Sequence, residues 1–288
     1  TSARGLVRQS TTTVGVIVAD ISNPPISQMF HGIVDRLHRA GLTIMLGNSE
    51  SDPATELELV RMFAVQRASG IIYTGPGVPD ALCEALNDFP LPVVVAAQSH
   101  PNLRHPVVLF DNYRASRAVT ERIIADGHRE LAFISGPLTD PEAGAARHRG
   151  YLDALERAGL APDSSRIEHA GFSIDAGYDA MDRILARARS RPTVVYAAAD
   201  LIAIGAMKRL HDAGVAVPAE VSVFGFDNIP VGAHLVPSLT TVELDFRELG
   251  EVSADTLLRV IERTRTHLER IVLGHRIVER ESYRAPAI

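Results

Sequence analysis

VGVIVADISNPPISQMFHGIVDRLHRAGLTIML (Val14–Leu46) holds the pattern that decides the fold. Val14–Val18 is an unbroken apolar run of the kind that a strand buried on both faces requires. From Ile26 to Ala40 the apolar residues Ile26, Met29, Phe30, Ile33, Val34 and Leu37 recur at helical spacing, and Gly41 then ends the helix. Thr43–Leu46 is a second short apolar run. A strand, a helix and a second strand in that order make a parallel βαβ unit.

The same cycle continues along the chain. Ser51–Arg67 reads as a helix with Pro53 near its start, and Ile71–Tyr73 and Pro92–Ala96 read as strands. Strands are expected at Val107–Phe110, Leu131–Ser135, Arg166–His169, Thr193–Ala197 and Val221–Gly225. Helices are expected between them, at Tyr113–Ala125, Ala145–Ala158, Asp175–Ala188 and Leu201–Ala213. A long helix at Phe246–Thr264 and a last strand near Arg276–Arg280 close the series. Nine or ten strands are too many for one small sheet, so the fold class is α/β with two doubly wound parallel-sheet lobes. The turn Asp126–Gly127–His128 is the expected first crossing between lobes and Pro237–Asp245 the second. The division is then a linker at 1–12, an N-terminal lobe of 13–125 plus 244–273, and a C-terminal lobe of 126–243 plus 274–288. The helix from Phe246 follows the second lobe in sequence yet has an apolar face suited to the first.

Composition narrows the function. The chain has 288 residues, 29 Lys plus Arg against 35 Asp plus Glu, a net charge of −6, and a single cysteine. Cys83 has no disulfide partner and reads as a small buried hydrophobe. No stretch approaches the roughly 18–20 uninterrupted apolar residues of a membrane span. No charged, apolar and small-residue leader is present, which argues against an intact secretory precursor, although the chain starts at Thr1 without Met. The acidic balance does not suit a surface that binds nucleic acid as a whole.

Enzyme motifs are missing. The turn after the first strand reads ADISNPP, not a dinucleotide-binding glycine fingerprint. Phosphate-loop, H-E-x-x-H, C-x-x-C and G-x-S-x-G patterns are absent, and the histidines, His31 and His38 included, have no metal-ligand spacing. No catalytic residue, metal or cofactor is expected. What the sequence offers instead is polar residues at strand ends, where open α/β sheets place ligands. These are Asp20–Asn23, Asp111 with Asn112, Asp200, and Asp227 with Asn228, while Arg147 and Arg149 open a helix. Carboxylates accept from hydroxyls and a guanidinium donates in a planar fork, which suits a polyol or nucleoside. Each Asp could instead cap a helix. Phe172 could be a stacking wall for a ligand ring or a plug of the core.

Several stretches resemble the LacI/GalR family of bacterial transcriptional regulators. They are VGVIVADISNPP (Val14–Pro25), GNSESDPATE (Gly47–Glu56), ASGIIY (Ala68–Tyr73), VVLFDNYRAS (Val107–Ser116), DGHRELAFISGP (Asp126–Pro137) and RHRGYLDAL (Arg147–Leu155). AAADLIAIGAMKRLHDAGVAVPAEVSVFGFDNIP (Ala197–Pro230), PSLTTV (Pro237–Val242) and IVERES (Ile277–Ser282) complete the set, which spans nearly the whole chain. The resemblance implies a periplasmic-binding-protein-like core with a hinge and a ligand cleft, cytoplasmic and homodimeric. Its small-molecule effector, sugar, polyol or nucleoside, would control affinity for operator DNA. By position, Asp111, Arg147, Phe172, Asp227 and Asp200 match effector contacts, and Pro25 and Ile26 match the wall from the first lobe. TSARGLVRQ (Thr1–Gln9) resembles the family's hinge segment, with Leu6 at the position that wedges into the DNA minor groove. On this reading the helix-turn-helix headpiece lies outside the sequence. Ala199 departs from the Asn common in sugar-binding members, and Thr139–Ala146 also differs. The alternatives are a periplasmic sugar-binding protein, which shares the two-lobe fold, and an α/β enzyme.

Overall fold

A computed structural model describes residues 12–262 and 269–286. Leu6 and the rest of Thr1–Gln9 lie outside them. The chain divides into two compact units, Thr1–Leu109 with Phe246–Ile271, and Phe110–Asp245 with Val272–Ile288.

In the first unit, β1 (Thr13–Val18), α1 (Pro24–Arg39), β2 (Thr43–Asn48), α2 (Pro53–Val65), β3 (Ile71–Thr74), α3 (Asp80–Asn87), β4 (Val93–Ala96) and β5 (Val107–Phe110) follow in order. Together with β11 (Arg270–Leu273) the strands form a six-stranded sheet in the order β11-β5-β4-β3-β1-β2. Neighbours from β2 to β5 run parallel, with Val16 beside Leu46 and Ile72. Alternate strand residues serve opposite faces. Ile17, Ile71, Tyr73, Val93 and Val95 pack with Phe63, Leu82 and Leu86 of α2 and α3. On the other face α8 (Phe246–Ile261) crosses α1 at paired glycines. A Cβ on Gly32 would lie 2.2 Å from the Arg247 carbonyl oxygen, and one on Gly250 would lie 2.0 Å from that of Met29. The apolar face that the sequence gives this helix is thus used by α1.

In the second unit, α4 (Asn112–Ala125), β6 (Leu131–Ser135), α5 (Arg147–Arg157), β7 (Ile167–His169), α6 (Ile174–Arg187), β8 (Val194–Ala197), α7 (Asp200–Asp212) and β9 (Ser222–Phe224) follow. The four strands form a parallel sheet in the order β7-β6-β8-β9. Ala132, Ile134, Val195 and Ala197 face the apolar residues of α6 and α7, including Met181, Ile184, Ile202 and Leu210. The opposite face is aromatic. Phe133 of β6 stacks on Tyr151 of α5 at 4.3 Å and lies 4.9 Å from the Tyr196 ring of β8. The Tyr196 hydroxyl donates to Ser116 Oγ (2.9 Å), which donates to the Arg147 carbonyl (2.6 Å). The last strands, β10 (Thr241–Glu243) and β12 (Arg276–Val278), pair antiparallel.

Three sequence expectations change. The first crossing comes before α4, not at Asp126–His128, because α4 belongs to the second unit. Ser116 bonds the start of α5, and at Gly150 a Cβ would meet the Tyr113 carbonyl oxygen at 2.4 Å. The helix expected from Ala145 is preceded by a π-helical turn at Pro141–Ala146. There Asp140 accepts from the Glu142 and Ala143 amides, and Ala145 N donates to the Asp140 carbonyl. β10 and β11 are strands that the reading of apolar runs does not separate from their surroundings.

Candidate functional site

The C-terminal ends of β6, β8 and β9 are where a ligand site is expected in the second unit. Arg147 enters there as the first residue of α5, with only 3% of its surface exposed. Its Nε donates to Asn112 Oδ1 (2.8 Å) and its Nη1 to the Ala198 carbonyl (2.6 Å). The guanidinium carbon lies 3.9 Å from the centroid of the Phe226 ring, a cation–π contact. Nη1 also lies 3.2 Å from Asp227 Oδ1. That oxygen has no aligned hydrogen bond, so the contact is an ion pair with acceptor capacity left over.

Asp227 reaches this place through an unusual backbone. Its φ is 113° and that of Asn228 is 57°. Both lie in the region that non-glycine residues enter at a cost. Asp227 N donates to the Val242 carbonyl (2.8 Å), and Asn228 is fastened by Arg280 Nη2 (2.7 Å) and Glu243 Oε1 (3.1 Å). Burial pushes the Asp227 carboxyl up to about 6, against the pull of Arg147.

The remaining residues expected from sequence fall into different positions. Asp111 caps α4, accepting from Arg114 N (2.9 Å) and pairing with the Arg114 side chain. Its neighbour Asn112 is the one that meets Arg147. Asp200 is fully enclosed, and both carboxyl oxygens are bonded within the unit, to Thr241 Oγ1 (2.5 Å) and Ile229 N (2.8 Å). Burial, and then the charge of Asp227, push Asp200 up to about 8. Phe172 covers Gly136 so closely that a Cβ there would lie 2.4 Å from the ring, and it packs on the α6/α7 core while staying partly exposed. Ala199 caps α7 without a side-chain bond. Arg149 is exposed over the Tyr113 ring at 5.0 Å.

In the first unit, Pro25 is buried and Ile26 half-buried in the first turn of α1. Asn23 precedes them without capping the helix, and its Oδ1 is buried with no partner. Thr74 Oγ1, at the end of β3 and in register with Val18, is likewise buried and unpartnered. Sequence reasoning gave no weight to Phe226 or Thr74, and it set Asn112 beside Asp111 at a strand end without making it a site residue. Asn112 carried a signal, as an amide directly after a strand-end carboxylate.

Among the described residues no group of three or more His, Cys, Asp or Glu could hold a metal ion, and no helix is long and apolar enough to cross a membrane. Together at these strand ends stand a buried guanidinium and a carboxylate with spare acceptor capacity.

A family model for the periplasmic binding protein-like domain matches residues 120–283. Catabolite control protein A of Priestia megaterium is 32% identical over 280 residues, 97% of this chain and 84% of that protein. The complex of the transcriptional regulator CelR with cellobiose has a TM-score of 0.87 at 29% identity, covering 95% of this chain and 85% of that one. A LacI family transcriptional regulator from Enterococcus faecium with bound ribose has a TM-score of 0.84 at 27% identity, covering 96% and 100%. These relatives are gene regulators, which sets aside the transport-protein alternative. The chain belongs to the LacI family of transcriptional regulators and is built on the periplasmic-binding-protein-like fold.

Proposed function

We propose that the chain is the effector-binding and dimerisation core of a LacI-family regulator, acting as a repressor, whose ligand is a neutral sugar, polyol or nucleoside. The observation that supports this most is the Arg147–Asp227 pair, buried at the strand ends with acceptor capacity left on Asp227 Oδ1. Arg147 donates to ligand oxygens, Asp227 accepts from ligand hydroxyls, and Phe172 supplies a ring face. Asp200 braces the turn that carries Asp227, and Asp111 caps the helix that begins with Asn112. The pair is neutral as a whole, which favours an uncharged ligand over a phosphate ester. Relatives with bound cellobiose and ribose support the sugar class. A ligand of this kind controls operator affinity only through its differential affinity for two protein states.

The test is a thermal-shift screen of sugars, polyols and nucleosides. At a hundredfold excess over its dissociation constant, a ligand that binds only the folded chain adds about 2.7 kcal/mol. The shift is expected to vanish in Asp227→Asn and to shrink in Arg147→Lys. A ligand that shifts both variants as it shifts the wild type places the effector elsewhere. Sedimentation of the apo protein as a monomer at micromolar concentration would refute the dimer.

A further inference from the structure

Asp200 touches the Phe226–Ile229 turn at both ends. Its backbone N–H donates to the Phe226 carbonyl (2.7 Å), and its Oδ2 accepts from Ile229 N (2.8 Å). Between these two points lie Asp227 and Asn228, both at positive φ. The carboxyl is fixed in turn by Thr241 Oγ1 at 2.5 Å. Gly225 leaves the space it occupies, since a Cβ there would lie 2.2 Å from Asp200 Oδ1. A strained turn persists only where its surroundings over-determine it. Here the first residue of α7 holds the turn that carries the acid of the site at both ends, at Phe226 through its backbone and at Ile229 through its enclosed side chain.

We infer that Asp200 is a positioning residue, which holds the Phe226–Ile229 turn in the conformation that presents Asp227 to Arg147. It acts through the turn and not by meeting a ligand. Its bearing on affinity rests on the effector-site reading above; its effect on the Arg147–Asp227 geometry does not.

The side chain of Asn keeps an acceptor for Ile229 N and turns its amide toward Thr241 Oγ1, which can accept. Ala keeps neither. The experiment follows two signals in the ligand-free chain: hydrogen exchange of the Ile229 amide, and the Arg147 Nε–H resonance, assigned through Arg147→Lys. In Asp200→Ala, Ile229 exchange is expected to rise at least about tenfold, the loss of one buried bond. The Arg147 resonance moves, while the Ala132 amide in β6 exchanges as before. Asp200→Asn is expected to restore both signals. The inference is overturned if Ala leaves both unchanged, if Asn moves them as far as Ala, or if Ala132 loosens by the same factor. Should Asp200→Ala fail to fold, Thr241→Val removes one tether of the carboxyl. It is expected to speed Ile229 exchange in the same direction by a smaller factor, and no change would overturn the inference. No ligand enters these measurements, so positioning can fail while the effector reading stands, and the reverse.

Discussion

Arg147 Nη1 lies 3.2 Å from Asp227 Oδ1, with the two side chains only 4% and 9% exposed. A buried pair of this kind is weak evidence for stability but costly to break, because removing one partner leaves an uncompensated charge. Arg147 also satisfies Asn112 and the Ala198 carbonyl.

Arg147→Ala is therefore expected to lower the unfolding free energy by about 3–5 kcal/mol. Asp227→Asn, which keeps the shape and removes the charge, costs less. The double variant falls short of the sum, since the two residues share one interaction. Urea unfolding of the four proteins reads the cycle. Strict additivity would mean that the two charges do not interact. Binding experiments accordingly need Arg147→Lys, not Arg147→Ala, to separate recognition from folding.

The pH profile should carry the mark of Asp200. Burial, and next the Asp227 charge, raise this carboxyl from 3.8 to about 8. The folded state then binds a proton that the unfolded chain releases between those values, so this contribution to stability is complete below about pH 4 and is lost as pH rises toward 8. Asp227, raised to about 6, adds the same sign over pH 4 to 6. Histidines depressed by burial tilt the total curve the other way, so the useful quantity is wild type minus Asp200→Asn. That difference is expected to decline from pH 4 to 8. A rising difference would mean that Asp200 is held ionised.

Much of this was legible in the sequence. The run at Val14–Val18 and its successors marked the parallel strands, because strands buried on both faces leave little room for polar residues. The strand-end positions of Asp111, Asp200 and Asp227 were equally plain. Their roles were not. Whether Asp111 or Asn112 faces Arg147 depends on the residue at which α4 begins, and propensity fixes helix ends to within a residue or two at best. Asp227 meets Arg147 through a positive-φ turn held by contacts from α7 and β10, and no local pattern announces such a turn. The π-helical turn before Arg147 was hidden for a similar reason: Asp140 caps it, Gly144 lets it approach the Pro137 carbonyl where a Cβ would lie 1.8 Å away, and PEAGAA reads locally as an ordinary helix start.

The α1–α8 crossing gives a packing prediction. Gly32→Ala places a methyl about where the Arg247 carbonyl oxygen sits, 2.2 Å away, and Gly250→Ala does the same against the Met29 carbonyl at 2.0 Å. Backbone atoms cannot rotate aside, so the helices must separate. Alanine's helix propensity returns about 1 kcal/mol at most. Overpacking typically costs about 1–3 kcal/mol, and separating two helices belongs at the upper end, so each variant is expected to melt earlier. A melting temperature equal to or above wild type in both would show that the crossing has slack.

His128 joins Thr193 to the backbone of Arg284. Its ring is buried, with Nε2 3.0 Å from the Arg284 carbonyl oxygen and Nδ1 2.8 Å from Thr193 Oγ1. A carbonyl can only accept, so Nε2 carries a hydrogen. Burial lowers the pKa, which favours the neutral ring, and in that ring Nδ1 accepts from the threonine. A histidine depressed in the folded state contributes stability that is present above its unfolded value of 6.5 and lost as pH falls through the folded value. His128→Phe forfeits both bonds and is expected to cost about 1 kcal/mol at pH 7.5, because the Arg284 carbonyl keeps Ser222 Oγ (2.9 Å) as a donor. At pH 5 the wild type loses part of its advantage and the variant does not, so the gap between them narrows. Paired urea titrations at the two pH values measure this. A gap that widens at pH 5 would mean that the folded protein prefers the imidazolium, and then the Thr193 bond could not be accepted at Nδ1.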